Sequence, residues 1–177
     1  MPEQSVAIIG GGPAGLMAAE AIVNSAGPGA VKVDVYDAMP SVGRKFLLAG
    51  KGGLNLTRSE PLDTFLSRYG SRRRELAPLL EAFGPDALRA WAQALGIETF
   101  SGSSGRVFPT GMKAAPLLRV WLQRLRTAGV RFHVRHRWNG WNDTGALRFT
   151  TPRGERTARA NAAVLAMLDA TGVELMK

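Results

Sequence analysis

The chain opens with an unbroken apolar run, Val6-Ala7-Ile8-Ile9, and after a glycine-rich break and an apolar stretch returns to an alternating one, Val31-Lys32-Val33-Asp34-Val35-Tyr36. A run apolar at every position suits a parallel strand covered on both faces, and alternation rich in β-branched residues suits a second strand. Between them Leu16, Ile22 and Val23 fall on one face among small alanines, which predicts a helix. In "GPDALRAWAQALG", Pro85 suits a first helical turn, Gly96 lies just past the end, and Leu88, Trp91 and Leu95 share a face, so Trp91 is expected in the core. "AAPLLRVWLQRLRTAG" repeats the pattern, with Leu117, Leu118, Trp121, Leu122 and Leu125 on one face and arginines opposite. It feeds a strand expected over Val130 to Trp138. Strands follow at Ala146 to Thr151 and near Glu155 to Ala160, with turns around residues 142–145 and 152–154. "AAVLAM" then supplies a further parallel strand.

These elements predict an α/β fold, Rossmann-like, with a parallel sheet, a small antiparallel β-meander and a helical insertion. The expected division is a βαβ unit over residues 1–58, a mainly helical insertion over 59–112, and a helix, meander and returning strand over 113–168. Residues 169–177 form a tail.

The break after Ile9 is Gly10-Gly11-Gly12-Pro13-Ala14-Gly15, in which Gly10, Gly12 and Gly15 fit G-x-G-x-x-G. In such a turn the first glycine permits the bend, the second lets backbone approach a pyrophosphate, and the third lets helix and strand pack closely. Pro13 occupies a first helical turn, where no backbone donor is missed, and the free N–H groups there with Ala14 favour an anion. The second strand ends at Asp37, about twenty residues beyond the last motif glycine, where a carboxylate accepts hydrogen bonds from an adenosine ribose. A 2′-phosphate beside it would be repelled, which argues for FAD or NAD and against NADP at this site. A glycine-rich linker would leave Asp37 unexplained.

Spacing alone does not separate FAD from NAD. Past Asp37 and Ala38 the chain brings Gly43, the adjacent cations Arg44 and Lys45, and a second glycine-rich loop containing Lys51, Gly52, Gly53, Asn55, Leu56 and Thr57. A cationic surface rich in backbone donors suits the pyrophosphate and ribityl path of a flavin dinucleotide. The alternative is an ordinary polar connection.

Together "IIGGGPAGLMAAE", "GRKFLLAGKGGLNLT" and "SGRVFPTGMKAAPLL" resemble the BaiN-like, or YhiN-like, NAD(P)/FAD-dependent oxidoreductases, over residues 5 to about 166. The resemblance implies an FAD domain of the two-dinucleotide-binding type. Its glycine turn would hold the pyrophosphate, Asp37 the ribose, and Gly43 to Thr57 would run along the flavin. It also implies that the loop 101–111, with Arg106, Phe108 and Pro109, lies near the flavin, where residue type alone indicates a surface loop. Adenine would meet the end of the returning strand, near Trp138. One departure is that Gly53 and Leu54 stand where many members carry arginine and cysteine, which excludes a thiol role there. The activity implied is an FAD-dependent oxidoreductase, with NADH or NADPH as reductant and the substrate or electron acceptor open. No residue has the pairing expected of a catalytic acid or base. The family continues past "AAVLAM" into further domains, whereas here "LDATGVELMK" follows, with Ala170, Thr171 and Gly172 similar to a strand ending of many flavoproteins. The expectation is therefore an N-terminal portion or shortened relative, and the alternative is a catalytically silent nucleotide-binding module.

Composition narrows the partners. With 177 residues, 45% of them hydrophobic, the chain can bury one core and part of a second. The absence of cysteine excludes disulfides, thiolate ligands and thiol catalysis. The longest apolar runs fall far short of a membrane span, and residues 1–9 lack the features of a signal peptide, so a cytoplasmic protein without membrane contact is expected. The net charge is +9, yet residues 1–60 hold five basic and five acidic side chains, so the excess lies downstream, at Arg72 to Arg74 and from Arg119 to Arg137. Phosphate contacts dominate nucleic-acid affinity, but no helix-turn-helix, zinc-finger or aromatic RNA-binding signature accompanies the charge. It reads as a solvated basic face, and nucleic acid is not expected as a partner. His133 and His136, the only histidines, are spaced by three in an expected strand, which suits neither a shared face nor a metal.

Overall fold

A glycine turn can present its donors only if the strand and helix on either side of it are fixed, and the order of the elements shows how that is done. The computed structural model describes residues 4–27 and 29–167. In chain order the elements are β1 (Gln4–Ile9), α1 (Pro13–Ala26), β2 (Val31–Asp37), α2 (Arg44–Ala49), β3 (Thr57–Arg58), α3 (Leu62–Ser67), a 3-10 turn (Gly70–Arg72), α4 (Arg73–Ala82), α5 (Pro85–Ala94), β4 (Thr99–Ser101), β5 (Arg106–Pro109), α6 (Ala114–Thr127), β6 (Arg131–Val134), β7 (Arg137–Trp141), β8 (Leu147–Thr151), β9 (Gly154–Ala158) and β10 (Ala162–Leu165). The chain divides into two compact units, one made of residues up to 46 and from 122 onward, the other of residues 47–121.

In the first unit the parallel sheet has the order β10-β1-β2-β6. The chain crosses from β1 to β2 and β6 on one side and returns to β10 on the other, so the strand order reverses beside β1. In open α/β sheets ligands bind outside the carboxyl ends of the strands at such a reversal. Ile8 pairs with Val35 across the ladder, and both are fully buried. Their face receives α1, whose Leu16 and Ala19 are also fully buried. The opposite face carries Ala7, Ile9 and Tyr36, packed against Leu147 and Phe149 of β8, with Trp138, Ala158 and Ala160 at the margin. Alternation in β8, with Leu147 and Phe149 buried and Arg148 and Thr150 exposed, is what lets the meander β7-β8-β9 act as that cover.

The strand expected over Val130 to Trp138 is two strands. β6 follows β2 only to the pair Asp37–Val134, and at Arg135 the backbone turns left-handed (φ 57°). The chain then leaves the parallel sheet for the meander. Period-two patterning continues through the break, which is why the sequence conceals it.

The second unit holds α3, α4 and α5 as expected, but also a three-stranded antiparallel sheet, β3-β5-β4. The glycine-rich stretch 101–111, expected as a loop, is largely the hairpin between β4 and β5, closed by Gly102 N–H to Arg106 O at 2.8 Å. Strands of two to four residues carry too short a pattern to be seen in sequence. α5 begins and ends as expected, with Gly84 as N-cap, Pro85 in the first turn and Gly96 left-handed (φ 75°) beyond the end. Trp91 meets Trp121 edge to face, with centroids 4.8 Å apart, and Trp121 is almost fully buried. No helix among the described residues is long and apolar enough to cross a membrane.

Candidate nucleotide site

β1 delivers the chain to the turn at its carboxyl end, where Gly10 (φ 110°) continues the ladder by donating its N–H to Tyr36 O at 2.8 Å. A Cβ on Gly10 would lie 2.6 Å from Ala166 O, at the end of the neighbouring β10. On Gly11 it would collide with Val42, and on Gly15 with the carbonyl of Gly10. These three glycines are thus required by the fold itself. Gly12 is not. Its backbone is extended (φ −80°, ψ −178°), which any residue adopts, and a Cβ there would have nothing within 4 Å.

That open space lies at the start of α1, a 14-residue helix whose N-cap, Gly12, offers no side-chain cap and whose first turn has no acidic residue. The first N–H groups of a helix have no intrahelical partner and carry the positive end of its dipole. Pro13 and Ala14 are exposed beside them and Gly15 is buried beneath. A missing side chain over uncapped donors is the arrangement that a closely approaching pyrophosphate uses, so the residues present fit a dinucleotide.

Asp37 is tied into the same turn. Its Oδ2 accepts the N–H of Gly11 at 2.8 Å, and its Oδ1 accepts the N–H of Met39 at 2.7 Å. The other side of Gly11 is held too, because Gly43 donates its N–H to Gly11 O at 2.7 Å. The run Asp37 to Gly43, with Ala38 exposed and Val42 buried, therefore wraps the glycine turn. Each carboxylate oxygen has a second lone pair, so Asp37 can hold the turn and still accept from a hydroxyl. The roles of Gly11, Val42 and Met39 were not foreseen, since a glycine triplet does not announce which residue is clamped on both sides.

Arg44 and Lys45 open α2, a short helix, and both are exposed. The segment 51–57 lies in the second unit. There Lys51, Gly52 and Asn55 are exposed, Leu54 and Thr57 are buried, and Gly53 is left-handed (φ 117°). Leu54 N–H donates to Met112 O and Leu56 N–H to Val107 O, both at 2.8 Å, and Thr57 pairs with Val107. The two downstream motifs are thereby joined strand to strand, with Arg58 reaching Ser104 O at 2.8 Å. Leu54 fills an apolar position, consistent with a packing role at that departure from the family pattern.

Trp138 lies on β7, beyond the end of the returning strand at Val134. It is half-buried against the meander core, edge to face with Trp141, and its indole N–H has no partner among the described residues. Along the β2–β6 pair lies a polar and aromatic cluster that the sequence concealed. Asp34 accepts two hydrogen bonds from Arg131 (2.8 and 2.6 Å) and contacts His133 Nε2 at 2.7 Å. Tyr36 is stacked between His133 (4.5 Å) and Phe149 (4.4 Å). Burial, with Asp34 adding, pushes the Tyr36 phenol up to about 12. The break at Arg135 brings His136 back to 5.6 Å from His133, although no group of metal-ligating side chains occurs among the described residues. Residues 170–172 lie outside the described residues.

The HI0933-like protein Rossmann domain family matches residues 4–173. The 3-dehydro-bile acid delta(4,6)-reductase of Clostridium scindens is 32% identical over 130 residues, 73% of this chain and 30% of that protein. Among solved structures, a flavocytochrome c3 fumarate reductase superposes with a TM-score of 0.64 at 20% identity, over 93% of this chain and 34% of that one. The 3-ketosteroid-delta4-(5alpha)-dehydrogenase of Rhodococcus jostii RHA1 superposes with a TM-score of 0.62 at 17% identity, over 92% and 45%. These superpositions show the Rossmann-like fold, and the chain spans under a third of the length of the curated relative it matches.

Proposed function

The chain belongs to the HI0933-like protein Rossmann domain family, and on that premise we propose that it binds FAD in an oxidoreductase reduced by NADH or NADPH. The observation that carries this reading is Gly12, a glycine with no conformational or packing reason to be one, set at the uncapped start of α1. The N–H groups of the first turn of α1 would face the pyrophosphate, and Asp37, already fixed by Gly11 and Met39, would accept from the ribose hydroxyls. Its charge repels a 2′-phosphate, which favours FAD over NADP here. Arg44 and Lys45 add positive charge at the start of α2. When bound, FAD supplies the hydride-accepting and hydride-donating ring, and the chain's own part is to hold and orient it. Two of the matched proteins are reductases by name, one of them a flavocytochrome, which supports redox chemistry over a passive nucleotide module.

The test is an absorbance spectrum of the purified chain followed by titration with FAD, read through flavin fluorescence. The reading expects saturation near one flavin per chain, followed by NADH or NADPH oxidation. Absence of binding at high micromolar FAD would overturn it. Binding without oxidation of either nicotinamide would leave the silent nucleotide module.

A further inference from the structure

Met112 (φ 53°) and Arg135 (φ 57°) are the non-glycine residues with left-handed backbone among the described residues. That conformation carries a steric cost that glycine avoids, so it persists only where surrounding contacts hold it. At Arg135 the chain changes sheets. At Met112 it turns from β5 into α6, and the contacts there are of another kind.

Met112 N–H donates to Pro109 O at 2.7 Å, and its carbonyl accepts the N–H of Leu54 at 2.8 Å. Its side chain lies over Gly53, with Cε 2.9 Å from where a Cβ would stand, and Phe108 Cε1 and Cδ1 lie 3.7 and 3.8 Å from the same point. Met112 thus latches the 51–57 segment to the end of β5, within the second unit. The residue is nevertheless 41% exposed, so a small solute can reach it. Because the chain contains no cysteine, its thioethers are the sulfur most open to a peroxide. Met39 and Met167 are also exposed, but neither has left-handed backbone.

We propose that Met112 is a reversible oxidation site whose sulfoxide releases the latch on Gly53 and Leu54. The thioether sulfur takes one oxygen atom from hydrogen peroxide as the O–O bond breaks, so that sulfur is oxidised and the peroxide leaves as water. A sulfoxide is polar and chiral, which suits it poorly to an apolar contact over a glycine. The left-handed backbone then loses the packing that held it. A methionine sulfoxide reductase reverses the step with a dithiol, the oxygen leaving as water while the dithiol becomes a disulfide.

The test is mass spectrometry of the peroxide-treated full chain, with hydrogen exchange read at the Leu54 amide. Sulfoxide is expected at Met112 alongside Met39 and Met167, with Leu54 exchange faster by about tenfold, as for a lost thioether contact beside an aromatic ring. Methionine sulfoxide reductases A and B with dithiothreitol restore the slow rate. Met112→Leu keeps an apolar contact, so its Leu54 exchange stays within about threefold of the unaltered chain and no longer responds to peroxide. Unchanged exchange at Leu54 with Met112 fully oxidised would overturn the proposal. So would a Met112 that resists peroxide while Met39 and Met167 oxidise, or a Met112→Leu chain that peroxide still loosens at Leu54.

Discussion

At the scale of single residues, the four glycines of the turn separate into two kinds. Gly10, Gly11 and Gly15 are held by atoms of the fold, whereas Gly12 faces open space. A substitution at Gly15 should therefore damage folding and one at Gly12 should damage binding alone. Gly15→Ala places a methyl group against the Gly10 carbonyl and is expected to cost about 3 kcal/mol, at the upper end of overpacking penalties. Gly12→Ser is expected to do the reverse. Serine is a better N-cap than glycine by a few tenths of a kcal/mol, because its hydroxyl accepts an N–H of the first turn. It would consume a donor meant for the pyrophosphate and fill its space. Thermal melts of both variants beside FAD titrations check the pair, and a Gly12→Ser protein that binds FAD as the unaltered chain does would remove the pyrophosphate from this turn. The motif spacing alone made Gly10, Gly12 and Gly15 visible in the sequence, but not that Gly12 differs in kind from its neighbours.

At the scale of elements, what was legible depended on how long a pattern each one carries. The runs in β1 and β2 and the apolar faces of α5 and α6 are long enough to set a period, and each lies where its period indicates. The break at Arg135 was not legible, because a single left-handed residue leaves the alternation on either side intact. The same break lets both histidines neighbour Tyr36, beside a β2–β6 polar seam centred on the buried Asp34. Tyr36 reports on that seam. Its folded pKa is raised to about 12, above the value of about 10 for a free tyrosine, so the neutral phenol is favoured by folding. Below pH 10 that contribution is fully present. As pH rises from 10 toward 12 the unfolded chain ionises and the folded one does not, so stability falls with pH across that window. Denaturant unfolding at a series of alkaline pH values is expected to show this decline and Tyr36→Phe to make it shallower. Identical slopes would place the phenol in solvent. Absorbance of the phenolate near 295 nm should show Tyr36 ionising near pH 12 in the folded protein.

At the scale of the whole molecule, the net charge of +9 is the property most open to misreading. A basic chain binds nucleic acid when cations line a continuous track and are free to displace counterions. Here several are already engaged within the protein. Arg131 is held by Asp34, Arg124 by Glu20, Arg68 by Glu60, Arg72 by Glu75 and Arg73 by Asp63, while Arg148 and Arg159 donate to Asn139 O and Thr144 Oγ1. These pairs are distributed over both units. Arg135, exposed among the described residues, has its backbone fixed to Met39 beside Asp37, whose charge discourages a second phosphate there. The excess charge should therefore steer a single anionic ligand toward the protein without holding a polyanion. Fluorescence anisotropy with labelled duplex DNA and single-stranded RNA is expected to show weak binding near 50 mM salt and none near 200 mM. A tight complex whose affinity fell about a thousandfold over that range would signify at least about six neutralised phosphates, and with them an extended basic track. FAD measured over the same range distinguishes the two cases, because a dinucleotide presents only two phosphates, and its affinity should change by about tenfold or less.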